Sequence, residues 1–258
     1  MSSSAARALR ILDAVGRASA PPGPTEIARG LDTTAGTVFR GLDALARSGL
    51  IARYQASSRY VLGPTADRLR QSLIAQFRIR EVSLGYLRQL ASLSGETACL
   101  YVQLGWYALR VAAAPGTNEV TNAPPLGEAH ALGAGYPGRA ILAFLDPKEI
   151  AAYHAWAKRK SIKTEAPNAE LQQIAKRGFA VGQVEFARAR AIAMPLRSDK
   201  VAIASLAVEG PVFDGGRAAS ESSKSWREIA GKIESVLRAQ PALCANPFAH
   251  IAPDEIAL

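Results

Sequence analysis

The stretch "TEIARGLDTTAGTVFRGLDALARSGLIARYQASSRYVLG", residues 25–63, constrains this chain more than any other. It reads as a short helix, a tight turn, a longer helix and then a strand pair. Pro24 stands where a helix begins, because a missing N–H costs nothing in the first turn. Thr33 or Thr34 caps the next helix, which runs to about Ser48 and stops at Gly49. Ile51, Arg53, Tyr60 and Leu62 then alternate across a polar turn, Gln55 to Ser58, as a hairpin does. Upstream, Ala8, Leu12 and Val15, with Ile11 on the flank, place another helix over residues 5–19 before "SAPPGP" breaks the chain. Three helices closed by a hairpin form a winged helix-turn-helix, whose second short helix and third longer one sit as in DNA-binding modules.

On the third helix Val38, Leu42 and Leu45 fall on one inward stripe. Gly36, Arg40, Asp43 and Arg47 point the opposite way, with Thr37 and Ala44 beside them. Small residues near the start of such a helix let its backbone approach a groove, and two arginines reach phosphates or guanine edges. Arg59, at the tip of the expected wing, suits the neighbouring backbone or minor groove. Gly41 costs helix stability, on the order of 1 kcal/mol relative to Ala, and close packing is the expected compensation. Charge points the same way. The first 80 residues hold twelve Arg, no Lys and five acids, so +7 of the formal +9 lies in under a third of the chain. Such a bias fits a polyanion. The expected contacts with double-stranded DNA are Thr34, Gly36, Thr37, Arg40, Arg47 and Arg59.

Thr65 begins a connector expected to be helical through Phe77, with Leu69, Leu73 and Phe77 on one stripe. Val82, Tyr86, Leu90 and Leu93 mark a further helix ending at Gly95. Beyond it, "TACLYVQL" and "ALRVAAA" flank a tight turn. The helix "GRAILAFL" follows, then one opened by Asp146-Pro147, then another over Asn168–Arg177. "FAVGQV", "RAIAMPL" and "VAIASLAVEG" are strands, and a last helix lines up Trp226, Ile229, Ile233 and Val236. A run of strands with helices at the margins gives an α+β domain around an antiparallel sheet. In 258 residues no apolar run reaches the roughly 20 residues of a membrane span, and no membrane partner is expected. Cys99 and Cys244 lack partner spacing and read as small core residues of a cytoplasmic protein.

Is catalysis encoded? His130, His154 and His250 are scattered, without a nucleophile or metal-ligand spacing. "GAGYPGR", Gly133–Arg139, does spell the glycine pattern of a dinucleotide turn. That pattern needs a buried strand before it and an acid about 20 residues on, where this chain has Lys158-Arg159-Lys160. No nucleotide or other cofactor is expected. A glycine loop entering a helix remains.

Taken with "RALRILDAV", "YVLGPTADRL", "LRQLASLSGETACLYVQLG", "KRGFAVGQVEF" and "AIAMPL", the chain to about Ala239 resembles the isocitrate lyase regulator (IclR) family of bacterial transcription factors. The resemblance implies a winged helix-turn-helix over residues 1–64, a linker helix over 65–78, a GAF-like effector domain over 79–240 and a tail over 241–258. It implies self-association as a dimer or dimer of dimers, an operator as partner and a small-molecule effector, a small organic acid by default. Matched position by position, the effector contacts are Gly135, Tyr136, Pro137, Gly138, Ala191, Ala207 and Glu209. Free N–H groups at the start of a helix favour an anion at this loop, although Pro137 removes one donor. Glu209 opposes a carboxylate unless Arg110, Arg188 or Arg190 offsets it. A neutral or hydroxylated ligand stacking on Tyr136 competes, as do glycines that serve structure alone. Two other functions stand against this one: a constitutive regulator with a degenerate pocket, and an enzyme that keeps a helix-turn-helix module.

Overall fold

A computed structural model of the chain describes residues 4–54, 57–118, 125–162, 166–184, 189–198, 201–210, 218–249 and 251–256. The chain divides into two compact units, Met1–Ile74 and Ala75–Leu258.

In the first unit, α1 (Ser4–Arg17), α2 (Pro24–Gly30) and α3 (Ala35–Arg47) precede a two-stranded sheet, β1 (Ile51–Arg53) and β2 (Tyr60–Leu62). The strands pair antiparallel, Ile51 opposite Leu62, and α4 (Pro64–Ala75) follows. Ile11, Val15, Ile27, Val38, Leu42, Leu45, Ile51 and Tyr60 form the core, so the inward stripe of α3 is the one its spacing predicts. Ile11, expected at the flank of α1, is central. It lies over Gly41, where an added Cβ would overlap its side chain, which accounts for a glycine inside this helix. Asp32 takes φ +48° in the turn between α2 and α3, a left-handed conformation that Asp tolerates better than most residues.

The second unit opens with α5 (Ile79–Ser94), which Gly95 ends in the left-handed conformation (φ +74°). Then come β3 (Thr97–Leu104), β4 (Tyr107–Ala114), β5 (Ala129–Ala131), α6 (Tyr136–Leu142), α7 (Pro147–Arg159) and α8 (Asn168–Arg177). After them lie β6 (Ala180–Val184), β7 (Ala189–Ser198), β8 (Val201–Gly210) and α9 (Ala218–Ala239). The strands form one antiparallel sheet in the order β5-β4-β3-β8-β7-β6. Cys99, Tyr101, Ala193 and Ala207 share a core with α6, α7 and α8 on one face of it. Asp146 caps α7 with its carboxylate while Glu149 returns a bond to the Asp146 N–H, as the Asp-Pro signal implies.

Two expectations for the connector region fail. The helix from Pro64 ends at Ala75, and Phe77 lies beyond it, buried against Phe248 with ring centroids 6.0 Å apart. Leu69 is exposed and Phe77 lies past the helix end, so one helix does not carry Leu69, Leu73 and Phe77 as a single stripe. On α5 the buried face is Ile79, Ser83, Leu87, Leu90 and Ala91, turned away from the Val82, Tyr86 and Leu93 line. Ser83 conceals that face in the sequence. Its hydroxyl is satisfied by donating to the Ile79 carbonyl at 2.8 Å, so a polar residue sits in the core at little cost. Among the described residues, no helix is long and apolar enough to cross a membrane.

Candidate functional site

The first candidate surface is the outer face of α3. Thr34 is its N-cap; the Thr34 hydroxyl oxygen accepts the Thr37 N–H at 3.4 Å and lies 3.0 Å from the Thr37 hydroxyl. Gly36 is exposed with open space where a Cβ would stand. Arg40 is exposed and has no partner among the described residues. Arg47 is exposed but paired with Asp43 at 2.8 Å, one helical turn away. Phe39, which the face-by-face reading of the sequence passed over, is 54% exposed beside them. An apolar ring left in water on such a helix is the signal that would have found it.

Arg59 departs from expectation. Instead of reaching outward from a wing tip, its guanidinium folds back, donating to the Pro21 carbonyl at 2.6 Å and to both Glu26 oxygens at 3.2 Å. Gln55 and Ala56 of the expected turn lie outside the described residues. The Gly23 N–H and then Arg59 hold the Glu26 carboxyl below its usual range. With Arg17 on Asp13 and Arg70 on Asp67, four of this unit's acids are each matched locally by an arginine, and the remaining arginines carry its excess charge.

The second candidate is the sheet face beneath α6. Cross-strand pairing sets Thr97 opposite Glu209, Cys99 opposite Ala207 and Tyr101 opposite Ser205. Ala191 also lies opposite Glu209, and Ala193 opposite Ala207. Residues two apart share a face, so these side chains line one side of the sheet. Ser205 donates to the Pro137 carbonyl at 2.9 Å and fastens α6 over them. Gly135, Tyr136, Pro137, Gly138, Ala191, Ala207 and Glu209 are thereby brought into one region. Glu209 is not a lone acid. Arg110 donates to its Oε2 at 2.9 Å, the Tyr101 hydroxyl donates to its Oε1 at 2.8 Å, and Arg110 Nε donates to the Tyr101 oxygen at 2.9 Å. Burial works against the Arg110 cation, but Cys99, Tyr101 and Glu209 around it outweigh that and hold its pKa above the usual value. Burial, reinforced by Glu209, keeps Tyr101 protonated well above its ordinary range. Of the three arginines considered as offsets, Arg110 does the pairing; Arg190 is exposed, and Arg188 lies outside the described residues. Tyr101 was missed by sequence reasoning. The available signal was one acid and one arginine, Glu209 and Arg110, in otherwise apolar strands.

A bulge brings this cluster together. Between β3 and β4 the register shifts at Leu100/Tyr101, so that Tyr101 faces Arg110. With unbroken pairing Val111 would oppose Tyr101 and the guanidinium would fall on the other face of the sheet.

The glycine loop is occupied by the protein itself. The Gly133 N–H donates to the Tyr153 hydroxyl at 2.7 Å, and its carbonyl accepts Arg139 Nε at 2.9 Å. Buried Arg139 continues to Glu170 at 3.0 Å and lies 4.8 Å from the Tyr136 ring centroid, covering one face of that ring. Gly182 leaves no room for a Cβ beneath the Tyr136 hydroxyl. A Cβ on Gly138 would fall 2.8 Å from the Leu132 Cα, whereas one on Gly135 would meet nothing closer than Pro137 Cδ at 3.7 Å. Close packing of the chain on itself therefore requires a glycine at 138 and leaves space at 135. Burial pushes the Cys99 thiol up to about 12, which suits a core residue. His130 lies 3.2 Å from Glu128 and His154 3.1 Å from Asn168, while His250 is outside the described residues.

A helix-turn-helix with a hairpin wing, joined to an α+β domain with a polar cluster beneath a loop-helix cover, defines a DNA-binding transcription regulator with an effector domain. The IclR helix-turn-helix domain matches residues 4–54, and the bacterial transcriptional regulator IclR C-terminal domain matches residues 71–233. The chain belongs to the IclR family. It is 32% identical over 215 residues to the HTH-type transcriptional regulator BhcR of Paracoccus denitrificans, covering 80% of this chain and 77% of that protein. Its fold is similar to that of an IclR transcriptional regulator from Alicyclobacillus acidocaldarius (TM-score 0.70, 25% identity, 91% of this chain and 98% of that one). It is also similar to an IclR homologue from Microbacterium hydrocarbonoxydans solved with 4-hydroxybenzoate (TM-score 0.71, 23% identity, 92% and 100% covered).

Proposed function

We propose that α3 reads an operator and that a small molecule bound beneath α6 sets the affinity of that reading. The observation that carries the first part is Arg40, a cation on the outer face of α3 with no partner among the described residues. Gly36 and Thr37 let the helix approach, Thr34 holds its first turn, and Arg47 exchanges Asp43 for a phosphate. Arg59 acts indirectly, by tying the strand pair to the start of α2. The second part is supported by the buried polar cluster of Tyr101, Arg110 and Glu209 under the residues matched to effector contacts. The homologue's 4-hydroxybenzoate makes an aromatic hydroxy acid a reasonable first ligand to test. Two copies, or a dimer of dimers, would meet the two halves of a pseudo-palindromic site in the cytoplasm. Catalysis has less support, since the three histidines are scattered along the sequence and the polar groups of Gly133 are taken up by Tyr153 and Arg139.

A gel shift on the DNA upstream of the protein's own gene, with and without deproteinised small-molecule extract, tests this function. A retarded band whose midpoint moves at least fivefold with extract is expected. A band insensitive to every extract would make the chain a constitutive binder, and no band would remove the DNA function.

A further inference from the structure

Resting on the effector site just proposed, we infer that Thr97 and Glu209 form an acceptor pocket for a hydroxyl or amine of the ligand, so that this regulator distinguishes hydroxylated acids from their unsubstituted parents. Arg110 would be the obvious carboxylate receptor, yet it is committed. Its Nε and Nη2 are aimed at Tyr101 and Glu209, and the Tyr101 proton is spent on Glu209. What the cluster retains is acceptor capacity, because a carboxylate offers about four lone-pair sites and these bonds use two. A ligand carboxylate brought here would lie against Glu209, while Arg110 is already committed to that pair. A ligand hydroxyl or ammonium would find an acceptor.

Thr97 supplies the independent observation. It is completely buried, stands directly across β3 and β8 from Glu209, and its hydroxyl has no partner among the described residues. Buried hydroxyls are nearly always paired, and an orphan needs a reason. Its hydroxyl can donate to or accept from a ligand group already bonded to Glu209, completing that group's hydrogen bonds. Ala191 and Ala207, adjoining Glu209 and Cys99, keep this part of the face small-sided. A carboxylate at the far end of the same ligand is not opposed.

The full-length chain should be melted with matched pairs of probes at 10 mM: acetate and glycolate, succinate and malate, benzoate and 4-hydroxybenzoate. At least one hydroxylated member should raise the midpoint, by roughly 5–10 °C at a hundred times its Kd, while its parent does not. Thr97→Val should then bind that compound about five- to twentyfold more weakly with an unchanged or higher midpoint of its own, and Thr97→Ser should restore binding. Parents that stabilise as well as their hydroxylated partners would overturn the selectivity and leave the effector site standing. Unchanged affinity in Thr97→Val would overturn the role of Thr97. Absence of stabilisation by all six compounds would count against both the selectivity and the site beneath it.

Discussion

Gly135, the N-cap of α6, and Gly138, in its first turn, sit three residues apart, yet their surroundings differ in kind. A Cβ at Gly138 meets the Leu132 backbone, with atoms 2.8 and 2.9 Å away that cannot rotate aside. At Gly135 the backbone is extended and the space beside it open. Gly138→Ala should therefore destabilise the second unit by about 1–3 kcal/mol, the usual cost of overpacking, and lower its melting midpoint by several degrees. Gly135→Ala should change it by less than about 0.5 kcal/mol. Equal effects on a thermal melt would show that the loop is not clamped as described. At the same scale, Glu26 ties Gly23 and Arg59 together at the base of the strand pair. Its carboxyl is held low in the folded chain, against 4.5 ordinarily, so its contribution is complete above that value and disappears as pH falls through the lower folded one. Glu26→Gln should accordingly flatten the loss of stability on the acid side below about pH 4.5, while leaving the slope between pH 6 and 8 as it is.

Among the elements, the C-terminal segment acts as a strap. Asp254 accepts the Trp106 indole N–H at 2.6 Å and pairs with Arg159 of α7, Asn246 donates to the Gln103 carbonyl at 3.1 Å, and Phe248 packs on Phe77. Removing residues 241–258 would uncover Trp106, Phe77 and Ile79 together. The truncated chain should show red-shifted tryptophan emission and a midpoint lower by roughly 5 °C or more, since burying large apolar side chains stabilises by about 1.5–3 kcal/mol each. An unchanged emission maximum would mean that the strap is not seated on the domain. Legibility in the sequence varies element by element for physical reasons. Helices α1 to α3 and α7 announce themselves through local signals, namely a Thr or Asp cap, a Pro at the first turn and an apolar residue every third or fourth position. The α5 face was misplaced because Ser83 breaks its apolar pattern and is rescued by a bond visible only in three dimensions. The Tyr101–Arg110–Glu209 cluster was half legible. Two opposite charges in apolar strands imply a partner for each, but which side of the sheet Arg110 occupies depends on the bulge opposite Leu100 and Tyr101. The folding back of Arg59 was hidden for a similar reason, as Glu26 lies 33 residues away along the chain.

At the scale of the whole molecule, the division of charge matches the division of labour. The arginine-rich first unit has most of its acids neutralised by neighbours, so its excess positive charge is available to phosphates. The second unit buries one polar cluster, Tyr101, Arg110 and Glu209, beneath α6, the site proposed for a small ligand. Sequence-specific reading by α3 is tested by equilibrium binding to the upstream DNA, measured by fluorescence anisotropy across a salt series. Wild type should bind that DNA at least a hundredfold more tightly than an unrelated duplex. Arg40→Ala should lose about 1–3 kcal/mol, roughly five- to 150-fold, on the specific DNA and far less on the unrelated one, with an unaltered melt. Unchanged specific affinity in Arg40→Ala, or equal losses on both duplexes, would contradict the assignment of α3 as the helix that reads the operator.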